Sequence, residues 1–178
     1  EEEVGSVNLE KFLIDHKEML KADVILISDT TMISAGLPSI TSGLRGLSYM
    51  QVEVTGPDRD LHSGLYGGGV VNPCNILCEM IASLKDKNNR ITIPGFYDDI
   101  VPPSARDREL MEKLPDVADE YKTRYGVKEF IKGLKGGTDL KMEEVFTPTC
   151  TICGLTSGYQ GSGSKTVQPA RASAKVDF

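Results

Sequence analysis

The chain has 178 residues, 39% of them hydrophobic and 26% charged, with a formal net charge of −6 and a pI near 5.0. This is the composition of a soluble globular protein with enough length for one or two small domains. The acidic balance excludes the basic stripe of a nucleic-acid binder, and no apolar run approaches the roughly 20 residues of a bilayer span. The chain starts Glu1-Glu2-Glu3 with neither Met nor signal-peptide pattern and stops within Ala174-Lys175-Val176-Asp177-Phe178, so it reads as a piece of a longer protein.

In chain order, Ser6 is placed to cap a helix from about Val7 to Leu20, with Leu9, Phe12, Leu13 and Leu20 as its apolar stripe. Val24-Ile25-Leu26-Ile27-Ser28 is a continuous apolar run, the pattern of a strand buried on both faces of a parallel sheet. Asp29 follows at its carboxyl end, where open α/β sheets place ligands. After a Gly/Pro loop the pattern changes: over Gly43 to Thr55, Met50, Val52 and Val54 alternate with Gln51, Glu53 and Thr55, which suits an antiparallel strand with one wet face. A domain boundary is therefore expected near residue 41, with 1–40 a segment of an α/β domain and 41–178 a second domain.

The next stretch, Asp60-Leu61-His62-Ser63-Gly64-Leu65-Tyr66-Gly67-Gly68-Gly69, reads as a glycine-rich loop carrying one of only two histidines. Glycine lets backbone approach a ligand closely, and histidine donates, accepts or binds metal near neutral pH. From its neighbours alone, His62 is equally a structural histidine. Asn72-Pro73 opens a helix with Ile76, Leu77, Met80, Ile81 and Leu84 inward. Residues 104–134 read as short helices separated by Pro115 and Gly126, within a helical insertion over about 98–146. Thr147 to Leu155 and Ala170 to Phe178 read as strands, joined by a Ser/Gly loop. The order β, α, helical insertion, β, β is most of an α+β ferredoxin-like two-layer sandwich lacking its second helix and last strand.

Cys150-Thr-Ile-Cys153 and the Cys74/Cys78 pair admit a zinc reading, yet zinc knuckles set CxxC in turns. Here one pair lies in a strand-like run and the other on a helix, so buried free thiols in a reducing, cytoplasmic setting are the better reading. Gly158-Tyr-Gln-Gly161-Ser-Gly163-Ser-Lys165-Thr166 fails as a phosphate loop, because Ser164 separates Gly163 from Lys165 and Val167-Gln168-Pro169 blocks a following helix. Close backbone approach to a substrate or partner fits it better. His16 falls within the first helix as a surface residue. Taken alone, the acidic start is a solvated charge run, and Asp29 a loop cap.

As an ordered set, Glu2-Glu3-Val4-Gly5-Ser6, Ile27-Ser28-Asp29, Ile40-Thr41-Ser42-Gly43-Leu44-Arg45-Gly46, Asp60 to Gly68, Ile93-Pro94-Gly95 and Gly161 to Pro169 resemble one family. It is the zinc aminopeptidase/aminoacylase superfamily of cytosolic dipeptidases, carnosinases, carboxypeptidase G and succinyl-diaminopimelate desuccinylase, with the carnosinase-type dipeptidases as the nearest branch. The resemblance implies an α/β catalytic domain holding two zinc or manganese ions, and a smaller lid inserted in it that forms a homodimer. It further implies Glu2 as general base on the metal-bridging water, Glu3 and Asp29 as metal ligands, His62 as an oxyanion donor in the partner subunit's site, and Thr166 as a contact to the substrate's carboxyl end there. Dipeptides, N-acyl amino acids and amide conjugates are the implied substrates; nucleic acid and membrane are not partners. The family's His-x-Asp motif and bridging Asp would lie before Glu1, and a final His ligand and a substrate-binding Arg beyond Phe178. The expectation is therefore a lid with a strip of catalytic domain, inactive and without tightly bound metal by itself. The alternative is a dimerisation or interaction module with no catalytic duty, whose edge strands suit pairing between chains.

Overall fold

A computed structural model describes residues 1–30 and 32–178, in two compact units, Glu1–Ser42 and Gly43–Phe178. In the first, the glutamates at positions 2 and 3 lie in a 3₁₀ turn (Glu2–Val4) that Gly5 closes at φ 89°. The helix that follows, α1 (Leu9–Asp15), is shorter than its apolar stripe suggested, and Ser6 is not its cap. Ser6 sits at φ 47°, and the position before the helix is Asn8, whose side chain is held by the Glu1 carboxylate. The apolar run Val24–Ile27 forms no strand and is more than 80% exposed throughout. The expected buried strand fails for a physical reason. A doubly buried strand needs neighbours on both edges and both faces, and among the described residues no strand pairs with this run.

The second unit is built on an antiparallel sheet. Met50, Val52 and Val54 form one face of β1 (Tyr49–Thr55). It begins later than the expected Gly43, and Ser48, just before it, exchanges a pair of backbone bonds with Phe178. Then come the two-residue β2 (Leu61–His62), the short α2 (Ser63–Tyr66) and α3 (Pro73–Ser83), whose Asn72 cap accepts from the Cys74 N–H at 2.8 Å. Three helices of the insertion follow, α4 (Ala105–Glu112), α5 (Ala118–Arg124) and α6 (Gly137–Phe146), and then β3 (Thr151–Ser157), β4 (Val167–Gln168) and β5 (Arg171–Asp177).

The last strand is central, in the order β1-β5-β3, with Tyr49 opposite Asp177 and Thr55 opposite Arg171. Its inward residues Ala172, Ala174 and Val176 are at most 2% exposed, and Leu77 of α3 is fully buried on them. Cys74, Ile81, Leu84, Phe96 and Tyr97 complete this core, whereas Met80, expected inward, is half exposed. The insertion has its own ties. Ser104 and Asp107 form a capping box at α4, Arg108 reaches Asp139 of α6 at 2.8 Å, and the buried Lys141 ammonium donates to the Leu114 carbonyl at 2.6 Å.

All four cysteines are free thiols, yet only Cys150 is buried; Cys74 is half-buried and Cys78 and Cys153 are exposed. The expectation of four buried thiols fails at Cys78 because it lies about 100° around the helix from Leu77, on the flank of the packed face. It fails at Cys153 because that residue stands three positions along an extended run from the buried Cys150 and so faces the other side of the sheet, where its thiol donates to the Asp177 carboxylate at 3.2 Å.

Candidate functional site

His62 is more firmly built than a flexible glycine loop would allow. It ends β2, which pairs antiparallel with β4, Leu61 opposite Gln168 and His62 opposite Val167. It also caps α2, its Nδ1 accepting from the Gly64 N–H at 3.0 Å. The Ser63 N–H donates to the Thr166 carbonyl at 3.2 Å. Across this pairing, Thr166 Oγ1 stands 3.1 Å from His62 Nε2, a contact between residues 104 positions apart.

These bonds assign the imidazole. With Nδ1 accepting a backbone N–H, the neutral ring carries its proton on Nε2 and donates it to the Thr166 hydroxyl. Both side chains are exposed, so the donor Nε2–H and the hydroxyl together face solvent and can be offered to an oxygen-bearing ligand. Glycine is required beside them: a Cβ on Gly67 would stand 2.5 Å from the Ser63 carbonyl oxygen.

Two polar side chains that sequence reasoning did not single out hold the pair. Asp60 accepts from the Ala170 N–H at 2.9 Å, and Gln168, 1% exposed, donates from Nε2 to the carbonyls of Val70 and Val71 at 2.8 and 3.2 Å. Their signal in the sequence is weak, a polar residue beside each element of a pairing that spans the insertion. Asp60 and the Pro169–Arg171 segment also line an open cleft of about 400 Å³ with Glu53 and Ser157. The Ser/Gly loop before Thr166 is braced internally, Tyr159 donating to the Ser162 carbonyl at 2.8 Å and Gln160 to the Ser157 carbonyl at 2.6 Å. It leads into β4, not a helix.

Glu2 and Glu3 are neighbours in the 3₁₀ turn, which points consecutive side chains about 120° apart; Asp29 lies on an irregular stretch, and all three are exposed. Among the described residues, no group of three or more His, Cys, Asp and Glu side chains is gathered as a metal site. The residues present thus do not by themselves fit a metal pair. Among the described residues, no helix is long and apolar enough to cross a membrane.

Comparison with known proteins adds to this geometry. Residues 42–178 match the family model described as the peptidase dimerisation domain, M20_dimer. The chain is 35% identical to the human Beta-Ala-His dipeptidase over 99% of its own length and 35% of that protein. It is 30% identical to the Cys-Gly metallodipeptidase DUG1 of Candida albicans over 99% of its length and 36% of that protein. It thus spans about a third of the length of the curated relatives it matches. Among solved structures, an M20 family metallo-carboxypeptidase of Sulfolobus solfataricus superposes with a TM-score of 0.85 at 37% identity, over 99% of this chain and 40% of that one. Human carnosine dipeptidase 1 gives 0.84 at 34% identity, over 99% and 37%. The mixed α+β architecture with small antiparallel sheets is shared with these structures, in keeping with the ferredoxin-like lid expected from the order of elements.

Proposed function

This chain belongs to the M20 peptidase family through its dimerisation domain, and on that premise we propose that the whole protein is a metal-dependent, dipeptidase-like hydrolase for which the chain supplies the lid. The substrates are dipeptides or N-acyl amino acids, the metal two zinc or manganese ions, and the assembly a cytoplasmic homodimer formed through residues 41–178. Glu3 and Asp29 serve as two of the metal ligands, completed by groups from the remainder of the whole protein, and Glu2 serves as general base. His62 and Thr166 act in the partner subunit's site.

The observation that carries this reading is the His62–Thr166 pair. An Nε2–H whose tautomer is fixed by a backbone bond is a preorganised donor, the kind of group that stabilises an oxyanion as an amide carbonyl is attacked. Thr166 gives up its acceptance of that proton when substrate arrives, and its own hydroxyl turns to the substrate carboxylate. Glu2, exposed on a turn that separates it from Glu3, is free to take and return a proton while its neighbour does different work.

The test uses the full-length protein with zinc or manganese and a panel of dipeptides. His62→Ala lowers kcat by about 10²- to 10³-fold, as removal of one oxyanion donor does elsewhere. Mixing it with Glu2→Ala restores part of the activity if the histidine serves the partner subunit. Full activity in His62→Ala overturns the assignment. A full-length protein that binds no metal and cleaves nothing in the panel favours the non-catalytic interaction module.

A further inference from the structure

We infer that Gln168 is a positioning residue, whose carboxamide locks the glycine segment against β4 and so fixes which ring nitrogen of His62 carries the proton. Its catalytic meaning rests on the reading of His62 and Thr166 above; its geometry does not.

A carboxamide buried to 1% exposure is costly unless its polar atoms are satisfied. Two carbonyl acceptors, Val70 at 2.8 Å and Val71 at 3.2 Å, require the nitrogen to face them, which settles the orientation of the amide. These carbonyls stand just after Gly67-Gly68-Gly69, a run with the largest backbone entropy to lose and no side chains to anchor it. The carboxamide ties down the far end of that run.

The near end is His62 itself, and Gln168 reaches it by a second route. Its backbone pairs with Leu61 while the adjacent Val167 pairs with His62. A closed ring results, running from His62 through α2 and the glycines to Val70, across the carboxamide to Gln168, and back through the β2–β4 pairing. Inside that ring lies the bond from the Gly64 N–H to Nδ1, and at its edge, one residue before Val167, Thr166 meets Nε2. If the glycine run loosens, Gly64 can leave Nδ1, and the ring is then free to exchange its proton between nitrogens. The Asp60 bond to Ala170 fastens β2 and β4 together but does not restrain the glycine run.

The experiment uses the 178-residue chain with labelled histidine. The chain holds only two histidines, so long-range ring nitrogen–proton correlations report His62 with His16 as an internal reference. Spectra are taken at about pH 8, above the ordinary histidine pKa of about 6.5. Wild type gives a single Nε2–H form for His62. Gln168→Met preserves bulk and removes both bonds; it gives a mixture of Nδ1–H and Nε2–H forms and a more than tenfold loss of exchange protection at the Gly64 amide, with an unchanged circular dichroism spectrum. Gln168→Asn, too short to reach both carbonyls, serves if the methionine variant does not fold. A folded variant with wild-type tautomer and protection overturns the inference, as does a mixed tautomer in wild type; failure of both variants to fold makes Gln168 a stability residue instead. None of these readouts uses peptidase activity, so an active His62→Ala enzyme would remove the catalytic meaning and leave the positioning role standing.

Discussion

Val24-Ile25-Leu26-Ile27 and Arg171–Asp177 invert the expectation that β propensity decides burial. The first stretch is the more strand-prone, yet it is exposed and irregular. The second has alanine at two of its three inward positions, yet it is the centre of the sheet and the most buried strand. The difference is in partners: β5 finds β1 on one edge, β3 on the other and α3 on one face. Strand propensity measures how well a side chain fits a pleated, half-buried surface, and that surface must first exist.

The most forceful way to break this contrast is to truncate one apolar side chain in each region. Leu77→Ala, at a fully buried position, should cost about 2–5 kcal/mol in chemical denaturation, while Ile25→Ala should stay within about 0.5 kcal/mol. An equal loss at both would mean that Val24–Ile27 is packed in solution.

A smaller effect separates two glycines. A Cβ on Gly56 would stand 2.6 Å from the Pro73 ring, where β1 and α3 meet, so Gly56→Ala should lower stability by about 1–3 kcal/mol, as overpacking does. Gly5→Ala instead meets an unfavourable positive φ, with open space around it. Its strain stays in one exposed turn and should leave the main unfolding midpoint unmoved.

The finest comparison lies within the insertion, between two carboxylates. The N–H groups of Gly137 and Ala118 hold Asp116 below the usual carboxylate range; partial burial raises Glu144, against an opposing bond from Tyr121. A lowered folded pKa adds stability above the unfolded value that is lost as pH falls through the folded one. Asp116→Asn should therefore destabilise at neutral pH, with the difference closing in acid below the ordinary value near 3.8. Glu144 has the opposite sign: Glu144→Gln should stabilise at neutral pH, and that gain should disappear as pH falls through the raised folded pKa toward the ordinary 4.5. Thermal unfolding from neutral to acid pH, with the two variants beside wild type, checks both.

These contrasts also indicate what the sequence could tell. Helix α3 was legible because Asn72-Pro73 and the spacing around Leu77 are local signals, and β1 and β5 because their alternation survives in the sheet. The first unit was misread because Val24–Ile27 states a preference for partners without naming any. Cys153 is exposed because alternation sets it on the face opposite the buried Cys150, a local signal that the general burial of free thiols overrode. At the site, His62 and Thr166 were each visible through their loops and the family resemblance. Their contact was not, and neither was the brace from Gln168, since both bridge about a hundred positions of chain.

That separation has a consequence for how the molecule can vary. The helices α4 to α6 lie inside the loop that the β2–β4 pairing closes, and the entropy of closing a flexible loop grows only logarithmically, by about 0.6 kcal/mol for each doubling of length. Lengthening, shortening or re-surfacing the insertion is therefore nearly free to the His62–Thr166 pair. The cost falls on assembly time: the pair cannot form until β4 has been made and brought back to β2, so it is among the last features of the unit to appear as the chain folds.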